Sequence, residues 1–224
     1  MEVDHKNNGV NYMKVLIVFA HPEPKSLNGS LKDVAVQALK EKDHEVKVSD
    51  LYGLGFKAAL DRDDFTNLEN PERFNPIGEQ LHAARSDGFS QDIKTEMEKV
   101  EWADLVIFQF PIWYGGMPAI LKGWMERVFA TGFSSDMFQG KIYDQGLMKG
   151  KKAMLSFTTG GPEENYYQDI PDKDPAKLAP IITENLKFSG FELVKPFVIF
   201  SAIMLSEEDA LSIFQAYRKQ LNEL

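Results

Sequence analysis

The stretch ADLVIFQFPIWYGGMPAILKGWMERV, residues 103–128, holds a strand, a turn and a helix in that order. Residues 105–110 form an apolar run of strand length containing Val and Ile, which reads as a strand buried on both faces. Pro111 ends it, because proline cannot donate to a sheet ladder. Ile112, Trp113, Tyr114, Gly115 and Gly116 then make a turn that is aromatic and flexible at once. From Met117 the apolar period changes: Pro118 suits a first helical turn, and Ile120, Leu121, Trp124 and Val128 recur at helical spacing. Two rings and two glycines thus sit at the carboxyl end of a buried strand, where ligands bind in open α/β sheets. Taken locally, a turn so rich in aromatics is equally compatible with plain core. A membrane span is disfavoured: no charge interrupts residues 105–121, yet the run is short and Pro111, Gly115, Gly116 and Pro118 break it.

Around this stretch the chain has 224 residues, which suits one domain with a substantial core. A net charge of −9 argues against a nucleic-acid surface and leaves no basic patch for anionic lipid. The absence of cysteine excludes disulfides, thiolate metal ligands and a cysteine nucleophile, and it suits a reducing compartment. A cytoplasmic location is the expectation. Residues 1–12 are polar, with neither a basic nor an apolar leader region, and read as a loose extension ahead of a single domain over residues 13–224. Met13 is an alternative start.

Residues 14–20 give a first buried strand, and a helix is expected over residues 29–41. Between them, Ser26 and Asn28 are good N-cap residues, and the strand–turn–helix arrangement is also a ready anion site. His21 reads as a satisfied loop histidine or as part of that site. No glycine precedes Gly29 here, so neither the dinucleotide fingerprint nor a P-loop is present. Residues 45–49 alternate as a second strand. From 50 to 91 the pattern reads as a long irregular excursion, of the kind that wraps a ligand. A helix over 92–101 leads into the central strand, and 133–146 is irregular with Phe133, Phe138 and Tyr143 in it. Residues 152–157 form a fourth strand, closed by Thr158, Thr159, Gly160, Gly161 and Pro162; adjacent glycines allow either close approach to a ligand or a tight turn. A helix over 176–188, a strand over 197–200 and an amphipathic helix from Ser206 complete the pattern.

Alternating strands and helices predict an α/β fold: a doubly wound, five-stranded parallel sheet in the flavodoxin-like order 2-1-3-4-5, with helices on both faces. The turns after strands one, three and four then become neighbours. An anion turn, an aromatic turn and a glycine turn together suit a flat ring with a phosphate tail, and flavin is the obvious candidate. There is no G-x-S-x-G nucleophile elbow, and metal ligands are not clustered, so no metal is expected.

With these turns read, the chain resembles the NAD(P)H:quinone oxidoreductase family, flavodoxin-like flavoenzymes of the DT-diaphorase type. HPEPKSLN (21–28), SDLY (49–52), ADLVIFQFPIWYGGMPAILKGWMERVF (103–129) and FTTGGP (157–162) occur in the family's order. The resemblance implies that His21, Ser26, Leu27 and Asn28 hold the phosphate side of the flavin. By the same likeness Pro111, Ile112, Trp113, Tyr114 and Gly115 line the ring. Thr158, Thr159, Gly160 and Gly161 serve its polar edge, and Tyr166 is the active-site tyrosine, with Gly161 beside it at the reacting centre. Asn75 falls where close relatives use a glutamine near the adenylate half of FAD. Two positions depart from the pattern. The mammalian enzymes place a histidine six residues after that tyrosine, where this chain has Asp172 or Pro171. In the last helix Ala210 or a neighbour replaces an arginine that helps hold FAD. FAD is expected, with FMN possible, and NAD(P)H as the hydride-donating co-substrate.

The implied reaction is ping-pong: NAD(P)H reduces the flavin, leaves, and a quinone or similar acceptor takes two electrons. A homodimer is expected, because the aromatics of 133–146 would otherwise face water. The alternatives are a flavodoxin-like electron carrier and a regulatory ancillary subunit of a potassium-efflux system. The long excursion and aromatic turn favour an enzyme, since a carrier needs no substrate pocket.

Overall fold

The computed structural model describes residues 12–170 and 172–224; the expected extension falls almost wholly outside them. Its centre is strand β3, Leu105–Pro111, every residue of which is buried. β1, Lys14–Phe19, pairs with β3 in parallel (Ile17 opposite Ile107), and β2, Glu45–Asp50, pairs with the other edge of β1. β4, Lys152–Thr158, pairs with β3 on the far side, bringing Ser156 opposite Gln109 and Thr158 opposite Pro111.

The fifth position holds two short strands rather than the single expected one. β5, Glu192–Leu193, and β6, Phe197–Ile199, both pair in parallel with β4. Pro196, which has no N–H to donate, lies in the gap between them. The order β2-β1-β3-β4-β5 is the expected one.

Alternation along the strands builds two cores. Leu16, Val18, Val106, Phe108, Phe110, Leu155 and Phe157 belong to one, which also takes in residues of α3 (Gln91–Trp102), α4 (Ala119–Val128) and α5 (Pro180–Phe188). Val15, Ile17, Leu105, Ile107 and Met154 belong to the other, beneath α1 (Leu27–Lys40) and α6 (Glu207–Leu221). No helix among the described residues is long and apolar enough to cross a membrane.

Three segments differ from expectation. The excursion after β2 is not irregular throughout: it contains a 3-10 turn, Arg62–Asp64, and helix α2, Pro76–Ser86. Asn75 is the N-cap of α2 and Pro76 sits at its first position, a start signal that the surrounding polar residues obscured. The helix expected over 176–188 is a 3-10 turn, Pro175–Leu178, followed by α5, because Pro180 lacks the N–H needed to continue. Residues 133–146 include two 3-10 turns, Met137–Gln139 and Tyr143–Gln145.

A buried ion pair ties the excursion to α4. Arg127, with its side chain 1% exposed, donates to Asp64 at 2.9 and 3.1 Å, to Asp92 at 2.7 Å and to the Lys57 carbonyl at 2.8 Å. Lys57 also reaches Asp64, at 2.9 Å. Burial alone would push the Asp92 carboxyl up; hydrogen bonds from Ser90 and Arg127 outweigh it and hold the group below the usual range.

Candidate functional site

The three turns converge at the carboxyl edge of β1, β3 and β4. After β1, the turn folds back over the start of α1: a Cβ on Gly29 would lie 1.9 Å from the Pro24 carbonyl oxygen, so only glycine fits. Ser26 is the N-cap of α1, its hydroxyl accepting from the Gly29 N–H at 3.1 Å. Asn28, the other capping candidate, lies inside the helix and is buried. The N–H groups of Leu27 and Asn28 meet no acceptor among the described residues. They lie at the positive end of the α1 helix dipole, as an anion site requires.

The turn after β3 is a tight hairpin. Trp113 and Gly116 exchange backbone hydrogen bonds of 2.8 and 3.0 Å, and both central residues have positive φ, 49° at Tyr114 and 77° at Gly115. Primed turns need this at both positions; glycine adopts it freely, whereas Tyr114 does so at a steric cost. The hairpin leaves Trp113 41% exposed and Tyr114 fully so, while Pro111 and Ile112 stay buried at its base. The Trp113 ring lies 5.8 Å from that of His21, joining this turn to the first. His21 Nδ1 also faces the Glu23 N–H at 3.0 Å.

The turn after β4 is clamped by the segment leaving β6. Thr159 N–H donates to the Ile199 carbonyl, Ala202 N–H to that of Thr159, and Ser201 N–H to that of Gly161, at 2.8, 2.9 and 2.9 Å. The Thr159 hydroxyl turns inward to the Gly161 carbonyl at 2.9 Å. A Cβ at Gly160 would meet nothing within 4 Å, and one at Gly161 would meet only ordinary contacts. Neither has positive φ, so the protein's own fold does not require glycine at these two places. The Gly160 N–H has no acceptor among the described residues. Tyr166 packs on Phe200, with rings 6.0 Å apart, and its hydroxyl lies 3.4 Å from the Gly161 N–H. Tyr167 packs on Phe200 as well, and burial, with Glu163 and Asp174 nearby, pushes its phenol up.

A buried hydrogen-bond chain links β3 to the start of α1 and the end of β4. Gln109 Nε2 donates to Asn28 Oδ1 at 2.8 Å, and Asn28 Nδ2 donates to Thr158 Oγ1 at 2.9 Å. Gln109 is a lone polar residue in an apolar run, and nothing local to it marks its distant partners. The clamp of residues 199–202 acts through backbone groups and leaves no composition signature. Asn75 is the site candidate not brought into this cluster: its side chain caps α2 toward Gly78, in a separate cleft of about 490 Å³ lined by Glu69, Arg73 and Phe74. Asp172 is exposed and paired with Lys177, whose hydrogen bond, with the Asp174 N–H, holds its carboxyl below the usual range.

Free amides at a helix start, exposed aromatics and an open glycine turn with an unpartnered N–H form a donor set that fits a phosphorylated flat heterocycle. Sheet order and site together define a flavodoxin-like α/β protein. A family described as "Flavodoxin-like fold" matches residues 13–224. The ribosyldihydronicotinamide dehydrogenase [quinone] of Homo sapiens is 44% identical over 213 residues, covering 94% of this chain and 91% of that protein. NAD(P)H dehydrogenase [quinone] 1 of Cavia porcellus is 40% identical, covering 94% and 77%. The crystal structure of a candidate quinone reductase from Klebsiella pneumoniae superposes with a TM-score of 0.86 at 41% identity, covering 94% of this chain and 84% of that one. The chain belongs to the NAD(P)H:quinone oxidoreductase family of flavodoxin-like proteins.

Proposed function

We propose that the protein is a flavin-dependent NAD(P)H:quinone oxidoreductase. The observation that carries this reading is the convergence of three turns whose unpartnered donors and open aromatic surface suit one flavin. The two-electron chemistry, hydride in from NAD(P)H and out to a quinone or similar acceptor, is what a flavin supplies when bound. The chain's own residues bind, orient and manage protons. The Leu27 and Asn28 amides, next to the Gly29 amide that Ser26 caps and flanked by His21, take the phosphate. Trp113 and Tyr114, with Pro111, Ile112 and Gly115, bound the ring. The Gly160 N–H and the Thr158 hydroxyl serve its polar edge, where preorganised donors stabilise developing negative charge. Tyr166 holds a proton beside Gly161.

FAD rather than FMN is the proposed flavin; Asn75, which caps α2 in a separate cleft, is not assigned to it. Residues 13–224 act as one domain within a cytoplasmic homodimer. The test is to purify the protein, release and identify any flavin by denaturation, and follow NADH and NADPH oxidation with and without a quinone. Flavin uptake together with quinone-dependent turnover is the expected result. Flavin without turnover would make the protein an electron carrier, and no flavin uptake would remove the reading altogether.

A further inference from the structure

Gln109 is out of place on stability grounds. It is fully buried in β3 between Phe108 and Phe110, and its Oε1 meets no donor. A leucine there would remove that orphaned acceptor but would leave the buried Asn28 Oδ1 without its donor. What glutamine adds is one directed bond, from Nε2 to Asn28 Oδ1 at 2.8 Å. That bond fixes the Asn28 amide so that its NH2 group faces Thr158 Oγ1, at 2.9 Å. All three side chains are buried, with Asn28 and Thr158 each 3% exposed.

The direction of the chain has a consequence at its end. A hydroxyl has a single proton. Since Thr158 Oγ1 accepts from Asn28, that proton is free to donate, and among the described residues it reaches no protein acceptor. Thr158 is the last residue of β4, beside the carboxyl edge where the candidate site lies.

We propose that Gln109 is a positioning residue for this site. By fixing the Asn28 amide, it directs the one hydroxyl proton of Thr158 toward the bound flavin, acting from inside the sheet without touching the ligand. This rests on the flavin reading above. Inverting the chain is also chemically simple. An ionised carboxylate at 109 only accepts, so it would draw the Asn28 NH2 group toward itself, leave Asn28 Oδ1 facing Thr158, and turn the Thr158 proton inward. The protonated acid, which burial favours, would donate to Asn28 Oδ1 and keep the wild-type chain, so Gln109→Glu is compared at a pH where it is ionised.

The test uses the intact protein, loaded with FAD, as wild type, Gln109→Met, Gln109→Glu, Thr158→Val and the double variant Gln109→Met with Thr158→Val. Flavin dissociation constants are read by fluorescence quenching, and flavin midpoint potentials by equilibration against reference dyes. Each single change should weaken binding about fivefold to tenfold, the scale of one hydrogen bond, and move the potential in the same direction. The double variant should be no worse than Thr158→Val alone, since Gln109 acts through that hydroxyl. If Gln109→Met fails to fold, Gln109→Glu, which keeps the shape, carries the comparison. Wild-type affinity and potential in the Gln109 variants overturn the proposal, as do losses that simply multiply in the double variant. A wild-type protein that takes up no flavin fails one step earlier and overturns the flavin reading itself.

Discussion

The Tyr166 hydroxyl oxygen stands 3.4 Å from the Gly161 N–H, so on its protein side it faces a donor, and its own proton is free to donate away from the chain. The oxygen lies in the glycine turn, and the ring is held by packing on Phe200. Under the proposed function, Tyr166 would donate this proton to negative charge developing on the flavin. One such bond to a charged group is worth roughly 1.5–3 kcal/mol. Tyr166→Phe should accordingly slow flavin reduction by NAD(P)H about ten- to a hundredfold while leaving flavin bound. Stopped-flow absorbance measures this, and a wild-type rate would remove Tyr166 from the chemistry.

Asp172 occupies the region where related enzymes carry a histidine, yet its exposed carboxylate is paired with Lys177 and held below the usual range. It stays ionised at neutral pH and cannot donate a proton there. Asp172→Asn should therefore leave flavin reduction between pH 6 and 8 (a window well above a carboxylate's ordinary pKa of about 3.9) close to wild type. A crippled Asp172→Asn beside an unaffected Tyr166→Phe would transfer the role to the carboxylate.

The glycines separate fold from site. Gly29→Ala forces a Cβ to 1.9 Å from the Pro24 carbonyl, so the turn must shift. Overpacking of this kind costs about 1–3 kcal/mol and should lower the melting temperature. Gly160→Val projects instead into open space, and Gly161→Val makes only ordinary contacts at its Cβ. Both should melt like wild type yet bind flavin at least about tenfold more weakly, a 1.4 kcal/mol effect. Unchanged flavin affinity in Gly161→Val would take that glycine out of the site.

Much of this was legible in the primary structure, and the exceptions share a cause. The change of period from residues 105–110 to Ile120, Leu121 and Trp124 located β3, its turn and α4, and the strand order followed. Helix α2 was hidden because Glu79 and Gln80 are among its buried residues. Glu79 takes the Glu69 and Asn70 N–H groups at 2.7 and 3.1 Å, and Gln80 grips Glu126 and Thr131 backbone at 2.9 and 3.0 Å. Polar side chains satisfied by distant backbone break the apolar period that marks a helix. Gln109 and the Ser201–Ala202 clamp escaped for the same reason: their partners lie far off in sequence, and no local pattern records them.

Met137, Phe138 and Tyr143 are 52%, 68% and 52% exposed, which places three large apolar side chains in water on one segment. A homodimer that covers them is the expected state. Light scattering should give twice the chain mass, and Phe138→Asp should raise the dimer dissociation constant by about tenfold or more, since burying an unpaired charge is costly. A monomeric, fully active wild type would contradict this.

The Arg127 cluster yields a stability prediction with a defined pH signature. Arg127→Met leaves Asp64, 1% exposed, with Lys57 at 2.9 Å as its remaining cationic partner. Breaking a buried pair outright costs about 3–5 kcal/mol, and the retained Lys57 holds the loss to the lower part of that range. For a domain of this size the whole range is a drop in melting temperature of roughly 6–20 °C, and its lower part is expected. Asp92 adds the pH dependence. Its folded carboxyl lies below its ordinary value because bonds from Ser90 and Arg127 outweigh burial. A depressed carboxyl contributes stability above its unfolded pKa of about 3.9 and loses that contribution as pH falls through the folded value. Asp92→Asn should therefore melt below wild type at neutral pH, with the gap constant above about pH 5 and closing on acidification below about pH 4. Thermal melts from pH 3 to 7 measure both variants, taking the window from that pKa. A gap that widens in acid would mean the Asp92 carboxyl is not held down by Arg127.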